Sequence, residues 1–273
     1  MAALSLSPQV FAILCALVEE KLGIHYSPAE RTILADKIGA RALEAGFESL
    51  LDYYYFLRYG PGSDAEMDAL TDALVVNETY FFRELDPLRV IVQDILAPRV
   101  QSGRRPRVWS AACSTGEEPL SLCMLLADRE MLGHVDVVAT DISNRALTRA
   151  RSGRHSKRSL RSEVPDRLAE RFLTHQDDGV VVAKEILAAV KWKRLNLMDQ
   201  PAIAALGKFD VVLCRNVLIY FAEPTSARVV QSLSQALTPD GTLVVGVAES
   251  LMRFGTTLHC QEHKGVFLYS KQA

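Results

Sequence analysis

Apolar and polar positions follow two different rhythms along this chain. Over roughly the first 80 residues the apolar positions recur at the helical period, and no alternating strand pattern intervenes. Val10, Phe11, Ile13, Leu14, Leu17, Val18 and Leu22 form one stripe. Ser27 and Pro28 place a capping residue and a first-turn proline before a second helix. Ile33, Leu34, Ile38 and Leu43 supply its apolar face, and Gly46 stops it. A third helix is predicted over 48–58, ahead of Gly60-Pro61-Gly62, and a fourth from Asp64 to Val76. These four predict an all-helical domain over 1–76, on which Asp64, Glu66, Asp68 and Asp72 read as a solvated face.

From Asp86 the grammar changes. A helix opening at Asp86-Pro87 presents Leu88, Ile91, Val92, Ile95 and Leu96 to one side. Strands are then predicted over 108–112, 135–140, 190–195, 209–214, 243–248 and 265–270. Helices are predicted over 117–131, from Asn144, and over 225–237. Apolar strands alternating with helices imply a parallel sheet covered on both faces. The final two strands lack a helix between them, which predicts an antiparallel end. The expected class is therefore α/β, with a sheet domain over 86–273 joined to the helical domain by a linker over 77–85.

Composition changes this picture in one respect. The net charge of −2 hides −7 over residues 1–84 (6 basic, 13 acidic) and +5 over 85–273 (25 basic, 20 acidic), so the two parts carry different surfaces. No apolar run approaches the roughly 18 residues that cross a bilayer. The apolar stretch 10–18 lacks a preceding basic segment and reads as a helix, so a cytoplasmic protein is expected. Five cysteines without a C-x-x-C pair indicate neither a disulfide framework nor a zinc ribbon. His259, Cys260 and His263 sit among β-formers and read as part of a hairpin, so no metal site is assigned.

Candidate chemistry lies where the strands end, since doubly wound sheets bind ligands there. The first strand runs into Ser110-Ala111-Ala112-Cys113-Ser114-Thr115-Gly116-Glu117-Glu118-Pro119, whose small residues allow close backbone approach. A diphosphate would want more glycines and would be repelled by Glu117 and Glu118. A ligand with a cationic amino-acid end and no phosphate fits better, although the two acids are equally ordinary first-turn residues. Asp141 ends the second strand, where a carboxylate accepts from both hydroxyls of a ribose or else caps the next helix. Asn196 and Leu197 follow the third strand as an adenine contact or a plain turn. Arg215 and Asn216 follow the fourth, and a cation after a buried strand is costly unless something pairs with it. The linker Asn77-Glu78-Thr79-Tyr80-Phe81-Phe82-Arg83-Glu84 is too aromatic for a simple spacer. It either closes a ligand cleft or glues two domains together.

At these motifs, together with Ala139-Thr140-Asp141-Ile142 and Cys214-Arg215-Asn216-Val217-Leu218-Ile219-Tyr220-Phe221, the sequence resembles the CheR family of chemoreceptor glutamate O-methyltransferases. The motifs occur in the family's order and cover nearly the whole chain. The resemblance implies a Rossmann-like class I methyltransferase sheet domain with a small inserted antiparallel subdomain (about 170–190), preceded by the all-α domain. It implies S-adenosylmethionine as cofactor, held by Asn77, Thr79, Arg83, Glu117, Asp141, Asn196, Leu197, Arg215 and Asn216. Arg83 and Tyr220 would line the methyl-transfer site. The implied partner is the cytoplasmic helical bundle of methyl-accepting chemotaxis receptors, and the enzyme is expected to be monomeric. Family members dock receptors through a basic helix of the N-terminal domain, and here the second helix offers Arg31, Lys37 and Arg41 within an acidic domain. The turn His175-Gln176-Asp177-Asp178-Gly179 is short, so recognition of a receptor's C-terminal pentapeptide tether is not expected.

Two other classes stand beside this reading. Seven basic residues and no acid over 145–161 suit a nucleic-acid methyltransferase, but that patch lacks aromatics for base stacking. A catalytically silent cofactor-binding regulator would keep the same pocket; intact Arg83, Asp141, Arg215 and Tyr220 argue against it.

Overall fold

The computed structural model describes residues 4, 6–161 and 164–271, which fall into two compact units. The first comprises 1–76 together with 220–225, and the second 77–219 together with 226–273.

Among the described residues, the first unit holds the α-helices α1 (Pro8–Leu22), α2 (Arg31–Glu44), α3 (Leu50–Tyr59) and α4 (Ser63–Leu74). Ser7 caps α1 by accepting from the Val10 N–H, and Gly23 ends it at φ 78°, which a residue without Cβ adopts freely. Ser27 and Glu30 form a reciprocal capping box on the short 3-10 turn that leads into α2. Leu14, Leu17, Val18, Leu34 and Ile38 are buried as expected, whereas Ile33, expected on the apolar face of α2, is 54% exposed; Tyr53, Leu57, Leu70 and Leu74 bury the inner faces of α3 and α4.

The α4 acids are not a uniform solvated face. Asp64 is exposed, whereas Glu66, Asp68 and Asp72 are half-buried. Glu66 accepts two bonds from Arg41, at 2.7 and 2.6 Å, and one from the Tyr53 hydroxyl at 2.6 Å. The partners of Glu66 lie on other helices, α2 and α3, so the pattern within α4 does not reveal them. The α2 cations are engaged likewise: Arg41 by Glu66 and Glu44, Lys37 by the Leu74 carbonyl at 2.9 Å, and Arg31 by the Leu6 carbonyl.

In the second unit, α5 (Leu85–Val90), a π-helical turn (Ile91–Leu96) and α6 (Ala97–Gln101) follow one another without a break. Pro98 lacks the N–H that would bond the Asp94 carbonyl, which is consistent with the widened turn before it. The remaining elements are β1 (Arg107–Ala111), α7 (Glu117–Asp128), β2 (Asp136–Asp141), α8 (Asn144–Ser152), β3 (Arg154–Ser156), α9 (Asp166–Phe172), β4 (Leu173–Gln176) and β5 (Gly179–Val182). After them come α10 (Lys184–Ala188), β6 (Val190–Arg194), α11 (Gln200–Ala204), β7 (Phe209–Cys214), α12 (Glu223–Ala236), β8 (Leu237–Val245), β9 (His259–His263) and β10 (Val266–Ser270).

Seven strands pair in the order β6-β2-β1-β7-β8-β10-β9. The first five are parallel, and β10 and β9 are antiparallel, as the missing helix between the last predicted strands implied. β9 and β10 form a hairpin closed by Lys264 (φ 53°) and Gly265 (φ 78°), both left-handed as a tight hairpin turn requires. β8 begins six residues before the predicted strand, because Leu237 pairs with Phe209 across an irregularity in β7 that no local pattern marks. Core packing centres on Leu88, Ile91, Leu120, Leu122, Val211 and Leu213.

A second, three-stranded antiparallel sheet has the order β3-β5-β4. β4 and β5 lie within the expected 170–190 segment, while β3 precedes it. Arg154-His155-Ser156 carries no apolar alternation, and only its pairing with Gly179, Val180 and Val181 makes it a strand. The structure also places α9, α10 and α11 in stretches where periodicity gave no helix.

The Glu66 cluster sets the first prediction. Burial favours the neutral acid, but hydrogen bonds from Arg41 and Tyr53 and the Arg41 charge outweigh it and lower the Glu66 pKa below its ordinary 4.5. Glu66→Ala removes this acceptor from buried Tyr53 and half-buried Arg41 and costs about 2–3 kcal/mol in urea unfolding. The wild-type advantage over Glu66→Gln is full above about pH 5 and is lost as pH falls through the depressed folded-state pKa. A difference independent of pH between 6 and 3 refutes the ionic part of this account.

Candidate active site

Strand order reverses between β1 and β7, so their carboxyl ends open a crevice in which α/β sheets bind ligands. Backbone strain gathers at those ends. Ala112 (φ 57°) and Ser114 (φ 50°) follow β1, Asn216 (φ 58°) follows β7, and Phe82 (φ 59°) and Glu84 (φ 51°) lie in the linker. Side chains other than glycine rarely persist there unless their surroundings impose it. Gly116 (φ 94°) completes the β1 turn; a Cβ there would lie 2.8 Å from both the Ala150 Cβ and the Trp192 ring.

This turn presents its backbone to Asp141. The Ser114 N–H donates to Asp141 Oδ2 at 2.8 Å and the Ser143 N–H to Oδ1 at 2.9 Å. The α8 cap is Ser143, which accepts from the Ala146 N–H at 3.0 Å, so Asp141 is not the helix cap. Asp141, only 7% exposed, instead has its carboxylate fixed at the strand end by the Ser114 and Ser143 N–H groups. Asn77 joins the same group by accepting from the Ser114 hydroxyl at 3.1 Å. The Leu195 N–H donates to the Asp141 carbonyl, bringing the β6 end alongside. Beyond it, Asn196 accepts from the Met198 N–H at 2.9 Å, a turn-forming bond, and Leu197 is buried.

Glu117 is 1% exposed. Oε1 accepts from the Ser159 hydroxyl at 2.8 Å and lies 3.0 Å from His155 Nδ1, while Oε2 accepts from Thr115 at 2.7 Å. Burial alone would raise this carboxyl, but the His155 bond and charge, with the two hydroxyls, hold it below its ordinary value. An ionised carboxylate is acceptor-only, which makes Nδ1–H the donor and leaves His155 Nε2 buried without a partner. Glu117 thus fastens the start of α7 to β3 and the turn after it.

Arg215 answers the question its sequence position raised. Nη1 donates to Glu118 at 3.0 Å, and Nη2 donates to Glu84 Oε2 at 2.9 Å and to the Arg83 carbonyl at 2.6 Å. The side chain is 2% exposed, and Nε is buried without a partner. Glu84 also accepts from the Asn216 amide at 3.2 Å. Burial pushes the Glu84 carboxyl up, but the Arg215 charge and these bonds outweigh it, leaving the group below the ordinary carboxylate value. Glu249, 6% exposed, accepts from the backbone N–H of Asn216 and Leu218 in the same turn.

Arg215's partners were the part sequence reading missed. A buried cation requires countercharge, and Glu84 adjoins a recognised motif, but 131 residues separate the pair. Nothing local signalled Glu249 or His155. Phe81 and Phe82 are fully buried within the second unit, where their N–H groups donate to the Ser159 carbonyl and the Ser121 hydroxyl. Thr79 and Arg83 are half-buried; Arg83 donates to the Glu78 carbonyl at 3.0 Å. Tyr220 belongs to the first unit, where its carbonyl accepts from the His25 N–H at 2.9 Å.

Four carboxylates therefore stand at the strand ends: Glu84 and Glu118 hold the guanidinium of Arg215, Glu117 holds Ser159 and His155, and Asp141 holds the Ser114 and Ser143 N–H groups. That balance suits a cationic ligand without phosphate, and a fixed carboxylate suits a ribose. These residues fit an adenosyl sulfonium.

Residues 77–266 match the CheR methyltransferase SAM-binding domain, and residues 9–75 match the CheR methyltransferase all-alpha domain. The chain belongs to the CheR methyltransferase family. It is thus an S-adenosylmethionine-dependent methyltransferase of the chemotaxis type. It is similar to chemotaxis protein methyltransferase 2 of Vibrio cholerae, with 32% identity over 90% of this chain and 86% of that protein. Chemotaxis protein methyltransferase 1 of Pseudomonas aeruginosa is 33% identical, over 88% and 90%. The probable biofilm formation methyltransferase WspC of the same organism is 32% identical over 86% of this chain and 55% of WspC. Among the described residues no helix is long and apolar enough to cross a membrane.

The clamp around Arg215 predicts strong coupling in this CheR-family protein. Glu84→Ala removes one of the two carboxylates that hold a buried guanidinium and lowers stability by about 3 kcal/mol. The double variant Glu84→Gln/Arg215→Met loses less than the sum of its single changes, which a double-mutant cycle in urea measures. Additive losses contradict the clamp.

Proposed function

We propose that this enzyme methylates glutamate carboxylates on the cytoplasmic helical bundle of chemoreceptors, forming glutamate methyl esters. The observation that carries this reading is the match along both family domains to relatives named as chemotaxis methyltransferases. The WspC relative extends the reading to receptors of chemosensory-like pathways with outputs other than motility. The proposal places the protein in the cytoplasm.

The chemistry demands little of the protein beyond alignment. A glutamate side chain is ionised at neutral pH and already nucleophilic, so no general base is required. When bound, S-adenosylmethionine supplies a methyl group on a sulfonium, whose departure as a neutral thioether needs no acid. The residues orient and exclude water. Asp141 accepts the ribose hydroxyls, Leu197 and Asn196 border the adenine, and Asn77 and Thr79 close the pocket from the linker. Arg215, Asn216 and Glu117 shape its methionine and sulfonium end, Glu117 by fixing the α7 start. Arg83 holds one oxygen of the substrate carboxylate while the other attacks. The part given to Tyr220, orienting that carboxylate, rests on the sequence resemblance.

Two paired variants separate these roles. Asp141→Asn weakens S-adenosylhomocysteine binding by calorimetry about tenfold to a hundredfold, the range for a hydrogen bond to a charged group. Arg83→Ala leaves that binding measurable and lowers turnover a hundredfold or more. Unchanged turnover removes Arg83 from the mechanism.

Gln176 pairs with Gly179 directly across the two-residue turn Asp177-Asp178, and this compactness supports action without a pentapeptide tether. Incubation with labelled cofactor and receptor cytoplasmic fragments should yield base-labile methyl esters. Yields should be equal whether or not the fragment ends in a pentapeptide tether. Base-stable label, or label on RNA, defeats the proposal.

A further inference from the structure

Asn216 and Val217 leave β7 with Asn216 in the left-handed region, and Leu218 and Ile219 open a short 3-10 turn (Leu218–Tyr220) whose first N–H groups have no partner within the turn itself. Buried N–H groups without acceptors are costly. One side chain supplies acceptors for Asn216, Leu218 and Ile219, and for Gly246 at the end of β8. Glu249 Oε2 takes the Asn216 N–H at 2.7 Å and the Gly246 N–H at 2.8 Å; Oε1 takes Leu218 at 2.8 Å and Ile219 at 3.4 Å. Four donors match the roughly four lone-pair sites of a carboxylate. Gly246 makes room for this arrangement, since a Cβ there would lie 2.5 Å from the Asn216 amide and 2.9 Å from Glu249 Oε2.

We propose that Glu249 is a positioning residue for methyl transfer: its carboxylate is the template on which the post-β7 turn folds, and through Asn216 it sets the attitude of Arg215. The route is explicit. Glu249 fixes the Asn216 backbone, the Asn216 amide holds Glu84 Oε1, and Glu84 Oε2 holds Arg215. The Val247 N–H, also at 3.3 Å from Glu84, ties in the turn after β8. Two carboxylates thus brace one turn from opposite sides, Glu84 by side chains and Glu249 by backbone. This inference rests on the proposed use of Arg215 and Asn216 in the cofactor pocket.

Glutamine is the incisive replacement. It keeps the shape, yet its amide nitrogen turns a donor toward two N–H groups. Glu249→Gln should raise the S-adenosylhomocysteine Kd at least tenfold and lower kcat, while KM for the receptor fragment moves less than twofold. Glu249→Asp, which keeps the charge, should recover part of the affinity. A merely structural role would reduce the active fraction and leave Kd unchanged. Should the glutamine variant not fold, amide exchange in the wild-type protein decides: Asn216 and Leu218 should be protected as strongly as β7 amides. Wild-type affinity in a folded Glu249→Gln, or rapid exchange at both amides, overturns the inference. If the wild-type protein binds no S-adenosylhomocysteine, it is the pocket reading that fails instead.

Discussion

The constraint on which the site depends is the burial of a permanent cation at the end of a hydrophobic strand. β7 is buried along its whole length, and Arg215 follows it at once. A guanidinium there must be surrounded by acceptors or it would unfold its own strand end. Glu84 and Glu118 provide the charge and the Arg83 carbonyl provides a further acceptor. The linker, the α7 start and the β7 turn are thereby tied to one planar group with fixed donor directions.

That tie explains why the linker is strained and aromatic at once. Phe82 and Glu84 both adopt left-handed backbone, which costs energy wherever Cβ is present. Burial of Phe81 and Phe82 in the core of the second unit offsets the cost, and the Glu84–Arg215 pair draws benefit from it. The aromatics therefore anchor the linker in the second unit, and the geometry they enforce delivers a carboxylate to the strand ends. Glu117 has a similar dual character: an ordinary first-turn acid by sequence, it is the buried joint between the sheet turn and β3 through His155 and Ser159.

Acceptors predominate across the whole crevice. Asp141 is oriented by two backbone N–H groups, and Glu249 accepts from backbone N–H groups of the turn after β7.

By itself the sequence determined the four N-terminal helices, five parallel strands with an antiparallel end, and the turns that hold Gly116, Asp141 and Arg215. Those features are written in local periodicity, caps and turn residues, each confined to a few neighbours. Only the tertiary structure decided that Glu66 faces Arg41 rather than water, that Arg154-His155-Ser156 is a strand, and that Glu84 and Glu249 brace the same turn. The reason is range: Arg41 and Glu66 are 25 residues apart, and Arg215 and Glu84 are 131. A carboxylate's partner is chosen by which chain segments the sheet brings together, and no periodicity in the residues around it carries that information.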